Sequence, residues 1–345
     1  RGSDGSRVNV TLNGIPFNDA ESQGTFFVNL PDFASSVQSL QLQRGVGTST
    51  NGSGAFGASL NLLTDAVAEE AYGEIANSFG SYNTRRHNVK FSTGLLNDHF
   101  EIAGRLSNIA SDGYIDRASS DLKSYFLQGA FKDGNTLIKA ITFGGREETY
   151  QAYYGIDAAT LETDRTFNTV GQQYDNAGNF QGFYDNEVDN YAQDHYQLLW
   201  NQRFNNNWST NVALNYTYGR GYFEQYVDDF YFSNILFSGD SQFDFLGAEP
   251  IEINGETITS TDYIRRRWLD NDFYAVNANA NYKDGNWDIT GGLFYSLYDG
   301  DHFGEILWSE FPIEYDYKDR YYEGTGEKTE FTVFAKATYQ INNKW

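Results

Sequence analysis

The chain has no methionine and no cysteine, and only four of its 345 residues are proline. Without cysteine there is no disulfide framework and no thiolate metal site, although that leaves the compartment open. With no methionine there is no initiator, so the chain is expected to be a piece of a longer protein or a processed product; it shows neither a secretory signal nor a polybasic segment. No run of eighteen apolar residues occurs, which argues against a membrane-spanning helix but not against spanning strands, whose alternating segments of about ten residues a hydropathy window misses. Bases are scarce: 24 Lys and Arg face 47 Asp and Glu, a net charge of −23. Nucleic acid binding requires a basic face and is therefore disfavoured. The four histidines (His87, His99, His195, His302) are scattered. There is no H-E-x-x-H, no cysteine nucleophile and no G-x-S-x-G elbow, so no catalytic residue, metal ligand set or cofactor is assigned.

What is abundant is 34 Gly, 26 Tyr and 27 Phe, a usage suited to long antiparallel strands. From Tyr72 onward, residues alternate with period two. Trp208, Thr210, Val212, Leu214, Tyr216 and Tyr218 share one face, and Ser209, Asn211, Ala213, Asn215 and Thr217 the other. The stretches from Tyr274 and Phe331 behave alike, one face apolar with aromatic ends and the other polar. Ten strands are predicted near 72–82, 85–96, 99–110, 121–132, 136–150, 192–204, 208–223, 271–283, 287–298 and 329–341. Tight turns at Asn97-Asp98, Asp133-Gly134, 205–207, Asp284-Gly285 and Asn342-Asn343 supply the positive φ of hairpins. Three other connections, 151–190, 224–272 and 299–330, carry −21 of the net −23. Short turns at one end and long loops at the other form an outer-membrane barrel pattern, and a compact soluble domain rarely carries three such loops. A soluble β-sandwich, with its apolar face against a second sheet, is the competing architecture.

Residues 39–64 read SLQLQRGVGTSTNGSGAFGASLNLLT, an alternating strand, a Gly/Ser/Thr/Asn loop and a second alternating strand. Gly52 to Gly57 fits G-x-G-x-x-G, but a dinucleotide fingerprint must open a helix after a buried strand; a polar loop precedes this one and a period-two segment follows. The stretch resembles the end of the plug domain of TonB-dependent outer-membrane receptors, in which a strand ending in Arg-Gly leads through a Gly-rich loop to a strand of the S-L-N-L-L-T kind. Arg1-Gly2-Ser3 resembles the other Arg-Gly of that plug, and residues 8–16 the strand and turn before its exposed loop. The resemblance covers about residues 1–64.

The resemblance implies an all-β membrane protein: residues 1–66 as the C-terminal half of a small α/β plug, and residues 67–345 as the first ten of an expected twenty-two barrel strands with extracellular loops at 151–190, 224–272 and 299–330. It implies a cell-outer-membrane location, with TonB and its inner-membrane energising complex, outer-membrane lipid and a solute as partners. The matching plug arginines, Arg1 and Arg44, are expected to pair with barrel glutamates beyond Trp345. Asn18, Asp19, Glu21, Gln23, Phe26 and Phe27 match the plug loop that touches ligand; packed as an ordinary solvated loop they would serve no ligand. Tyr153, Tyr154, Tyr231, Trp268 and Trp308 stand in or beside the acidic stretches and suit a ligand platform, or equally a core of the loops themselves. The implied function is energy-coupled import of a scarce solute, a ferric chelate first. Strongly acidic loops oppose an anionic siderophore, so an oligosaccharide, a peptide or a cationic complex remains an alternative; a different class of alternative is a non-transporting surface scaffold, alone or with a lipoprotein or a larger outer-membrane complex.

Overall fold

A computed structural model describes residues 4–45, 56–231 and 242–341. The N-terminal part forms a four-stranded sheet from β1 (Val8–Leu12), β2 (Ile15–Pro16), β3 (Val37–Arg44) and β4 (Ala58–Thr64), in the order β2-β1-β4-β3. Asn13 and Gly14, with φ of 55° and 82°, make the β1–β2 turn. β4, rather than a helix, follows Gly57, as the alternation of Ala58, Leu60 and Leu62 requires. Residues 46–55, which hold most of the glycine-rich loop, and Arg1 lie outside the described residues.

The rest is dominated by one antiparallel sheet of ten strands in sequence order. These are β5 (Tyr72–Phe79), β6 (Arg85–Ser92), β7 (Phe100–Ser111), β8 (Ser120–Asp133) and β9 (Thr136–Tyr150), then β12 (Val188–Arg203), β13 (Trp208–Val227), β16 (Tyr263–Asp284), β17 (Trp287–Ser309) and β18 (Arg320–Tyr339). Small hairpins occupy two connections: β10 (Gln172–Tyr174) with β11 (Phe180–Phe183), and β14 (Ile251–Ile253) with β15 (Glu256–Ile258). Short helices α1 (Ala158–Thr163) and α2 (Gln242–Leu246) lie in the same connections. No described helix is long and apolar enough to cross a membrane.

All ten strands lie where the alternation puts them, but their ends differ. β16 begins at Tyr263 instead of 271, β17 runs on to Ser309, and β18 starts at Arg320. The acidic stretch 299–330 is thus largely two strand ends joined by 310–319, not a long loop. Charge does not end a strand whose ladder is paired and whose outer face is wet; Asp299, Asp301 and Glu327 all sit in register. The tight turn at Asn97-Asp98 has both residues at positive φ, 49° and 62°. The turn at Asn342-Asn343 lies outside the described residues.

The sheet curves around the N-terminal part, and the two share one core. Val10, Leu12, Ile15, Leu30, Phe33 and Leu62 pack against Phe126, Ile141, Phe143, Leu199, Ala213 and Ala275 of the inner wall. The outer face keeps its apolar side chains exposed, among them Ile75, Phe91, Leu106, Leu127, Leu198, Leu214 and Val333. Aromatic rings bound this belt: Trp208 meets Tyr282 at 4.9 Å and Trp287 meets Tyr339 at 4.6 Å near the tight turns, while Tyr196, Tyr216 and Tyr274 stack farther along. Trp208 and Tyr216 are eight residues apart on β13, about 26 Å along a strand and about 20 Å along the barrel axis at the usual tilt. That matches the apolar band of a transmembrane barrel and not one sheet of a sandwich.

Candidate functional site

Two cavities lie on the inner side of the long strands, beyond the belt from the tight turns. The lower, about 700 Å³, is floored by the N-terminal part's loop 16–29 and walled by β9, β12, β13, β16 and β17. The upper, about 820 Å³, lies among connection 151–187, the ends of β13 and β16, and α2. Asp189, Phe223 and Arg267 border both, so the two are continuous.

The floor is held in place by its own polar groups. Asn18 accepts from the Val10 amide and donates to the Val8 and Gln23 carbonyls, each at 2.8–2.9 Å, which closes the base of the loop. Asp19 accepts from the Ser22 amide at 2.7 Å and from the Glu21 amide at 3.2 Å, an Asx turn. Gln23, at φ 61°, donates to the Ala20 carbonyl. Glu21 reaches the wall: its carboxylate lies 2.7 Å from His302 Nε2 and accepts from the Tyr298 hydroxyl at 3.0 Å, while Lys328 donates to the Ala20 carbonyl at 2.8 Å. Of the six loop residues singled out in the sequence, Asn18, Asp19, Glu21 and Phe26 border the lower cavity, and Gln23 and Phe27 do not. Phe27 packs on Phe17 at 6.3 Å, and both Phe26 and Phe27 are about half exposed.

The loop aromatics divide as well. Tyr153 and Tyr154 lie with ring centroids 4.3 Å apart and planes tilted by 47°, and border the upper cavity, with Tyr153 accepting from Gln225 at 3.1 Å. Trp268 borders the lower one, but its indole is committed: it donates to Glu305 at 2.8 Å and stacks on Phe303. Trp308 stacks on Tyr226 at 6.3 Å and borders neither cavity. The Tyr231 side chain lies outside the described residues. Arg44 ends β3, is exposed, and forms no ion pair among the described residues.

Among the described residues, the ion pairs between the N-terminal part and the wall run from its acids to wall bases. Asp32 accepts from Asn88 at 2.7 Å and Ser107 at 2.5 Å and lies 3.0 Å from Arg86 and 3.5 Å from Arg105. Asp65 pairs with Lys90 at 2.7 Å. Asp32 precedes the short turn Phe33–Ser36 and caps no amide there; within the turn it accepts only from the Ser35 hydroxyl, at 2.8 Å.

Sequence reasoning missed Arg265, Arg266 and Arg267, the only three bases in the acidic stretch 224–272. Their signal was that very contrast. Arg266 pairs with buried Glu224 at 2.7 Å. Arg265 and Arg267 both border the upper cavity, and neither forms an ion pair among the described residues. Arg265 takes two bonds to Gln225 Oε1, at 2.9 and 3.2 Å; Arg267 lies over the Phe223 ring at 5.2 Å and bonds the Tyr322 hydroxyl at 3.3 Å. Two guanidinium groups among aromatic rings can receive carboxylate, phosphate or catecholate oxygens. Nearby Glu187 is buried, and burial pushes its carboxyl up to about 7 against the opposing pull of the Tyr226 amide and Arg265. Among the described residues no three His, Cys, Asp or Glu side chains are placed to hold a metal ion.

No family model matches the chain, and no curated protein sequence matches it. Solved structures do. The copper transporter OprC superposes with a TM-score of 0.65 at 12% identity, over 99% of this chain and 45% of its own. The ferripyoverdine receptor of the outer membrane of Pseudomonas aeruginosa gives 0.66 at 11%, over 97% of this chain and 43% of its own. The ferric citrate transporter FecA gives 0.53 at 12%, over 98% and 52%. The chain therefore has the fold of these outer-membrane receptors, a large antiparallel β-sheet curved around a small N-terminal sheet, and spans about half the length of the solved structures it matches.

Proposed function

We propose that this chain is the plug-apex and early-barrel part of a receptor that imports a scarce solute across the outer membrane, driven by TonB, and that the solute is a ferric chelate of the siderophore type. Residues 4–64 serve as plug, and the connections at 151–187, 228–262 and 310–319 face outward. The observation that carries the ligand class is the pair Arg265 and Arg267 at the junction of the two cavities. The acidic mouth counted against an anionic chelate, but screening reduces the effect of charges beyond about 8 Å in physiological salt. A ligand seated between the cavities meets the two guanidinium groups and the Tyr153–Tyr154 pair first. The names of the similar proteins, a ferripyoverdine receptor and a ferric citrate transporter among them, support the same class. Import itself needs no bond making, so no residue is given a catalytic role.

The deciding experiment is native mass spectrometry with metal analysis on the full-length protein purified in detergent from its own membrane. Co-purified iron with a chelate mass supports the proposal. A metal-free protein carrying an oligosaccharide or peptide overturns the ferric reading and keeps import. A stoichiometric second polypeptide with no small solute, in a protein without a TonB-binding segment, overturns import in favour of a scaffold.

A further inference from the structure

Two acids of the inner wall, Glu147 on β9 and Asp189 on β12, form no hydrogen bond and no ion pair among the described residues. Both border the lower cavity, and Asp189 also borders the upper one. Glu147 pairs in register with Tyr191, and Asp189 with Thr149. The two carboxylates are therefore diagonal neighbours on one face, about 7–8 Å apart at the backbone. Glu147 is only 4% exposed, and Asp189 is half-buried. Both stand beyond the belt, since Glu147 lies past Thr142, the register partner of Tyr196. Burial, reinforced by Asp189, pushes the Glu147 carboxyl up to about 8, and burial raises Asp189 as well.

The other charged groups of this cavity do not neutralise the pair. Asp19 is held in its Asx turn, and Glu21 is taken by His302 and Tyr298. His195 bonds to Thr217 at 2.8 Å and stacks on Phe143. Arg267 is kept apart: it and Asp189 flank Phe223 in register from opposite sides, and its guanidinium lies over that ring at 5.2 Å. Two neighbouring carboxylates left buried in this way are costly unless a positive group joins them. A hard metal ion takes six or more oxygens, and among the described residues no three His, Cys, Asp or Glu side chains are placed to hold one. An ammonium or amidinium group suits the pair better, because its several N–H donors can be shared between two carboxylates.

We propose that the ligand carries an organic cation, an ammonium or amidinium group, that docks between Glu147 and Asp189 while its anionic part takes Arg265 and Arg267. Asp189 and Arg267 stand two strand spacings apart across Phe223, about 10 Å, which sets the separation of the two charged ends. A ligand of mixed charge also eases the conflict between the acidic stretches and a purely anionic chelate. The proposal rests on the ferric-chelate reading and narrows it to chelates that bear an amine or amidine.

The test is equilibrium titration of the full-length protein in detergent with two synthetic ferric tris-catecholates, one carrying a pendant primary amine and the other a hydroxyl in its place. Wild type is compared with the double variant Glu147→Gln with Asp189→Asn, whose amides keep the shape of the acids. A charge-assisted bond to a buried acid should make wild type bind the amine form about tenfold tighter or more. That preference, lost in the double variant, supports the proposal. Equal affinity of wild type for both forms overturns it and leaves the ferric-chelate reading standing; the carboxylates would then read hydroxyl groups, as in a sugar, or nothing. A preference that survives in the double variant also overturns it, because the cation then docks elsewhere. Binding of neither form overturns the ferric-chelate reading, and the proposal with it.

Discussion

The carboxylate of Asp32 sits 3.5 Å from the guanidinium of Arg105, an acid of the N-terminal part against one of the most deeply buried bases of the wall. Arg105 also donates to Ser36 at 2.7 Å and Ser124 at 3.1 Å, and Asp32 collects Arg86, Asn88 and Ser107. Removing one side of a buried charge pair leaves the other unpaired, typically at about 3–5 kcal/mol. Asp32→Ala should therefore loosen the plug by about that amount, with Asp32→Asn intermediate because it keeps acceptor geometry. Protease cleavage within residues 18–44 should speed up while the barrel resists; unchanged cleavage would mean that Asp32 does not seat the plug.

Glu187 should make the outer cavity pH-sensitive. Its folded carboxyl titrates near 7 against an ordinary 4.5, raised by burial. A raised carboxyl contributes stability that is fully present below about 4.5 and is lost as pH rises through about 7, a swing of about 3 kcal/mol as an upper bound. The protection of amides in connection 151–187, the intrinsic exchange rate divided by the observed one, should fall between pH 5 and 8 in the wild type. In Glu187→Gln, which cannot ionise, that ratio should be independent of pH, and a matching slope in both proteins would assign the effect to another group.

How far the sequence reached follows from what kind of signal each feature leaves. Strand positions were legible because Trp208 to Tyr218 alternate cleanly and because one face must meet lipid. The outer strand ends were not, since Asp299, Asp301 and Glu327 read as loop by charge although their backbones stay in the ladder. Within the candidate site, Tyr153 and Tyr154 were visible as aromatics beside acids. Arg265 and Arg267 were hidden by the net charge around them, because summing over 224–272 erased the only bases it contains. The seating contact was looked for at Arg44, on motif resemblance. Apart from the nearby Ser35 hydroxyl, the donors to Asp32 come from residues 86–107, more than fifty positions away, and nothing local reveals them.

Arg267 should set ligand affinity without setting stability. It is exposed, pairs with no acid among the described residues, and borders both cavities. A charge-assisted hydrogen bond contributes about 1.5–3 kcal/mol, so Arg267→Ala should raise Kd for an anionic ferric chelate about 10- to 100-fold in equilibrium titrations. Arg267→Lys should recover part of it, since the charge remains while the planar fork is lost. Melting temperature should hold within a degree or two. A variant that binds a neutral oligosaccharide as before, and never bound the chelate in wild-type form, would redirect the ligand class.

Gly145 tests how closely plug and wall must approach. A Cβ built there meets the Pro31 ring and the Asn29 carbonyl oxygen, the latter at 2.7 Å. Both are backbone or ring atoms of the plug, which cannot swing aside as a flexible side chain would. Gly145 lies on β9 between Gly144 and Arg146, and the same strand supplies Phe143, fully buried against Phe33 at 4.9 Å. Moving the plug to admit a methyl group therefore also opens that aromatic contact. Overpacking of this kind typically destabilises by about 1–3 kcal/mol. Gly145→Ala should lower the plug's resistance to unfolding by that amount and raise leakage of small hydrophilic dyes through reconstituted full-length protein. Gly129→Ala, on the neighbouring strand where a Cβ meets nothing within 4 Å, should do neither. If the two variants behave alike, the effect belongs to the strand and not to the plug contact.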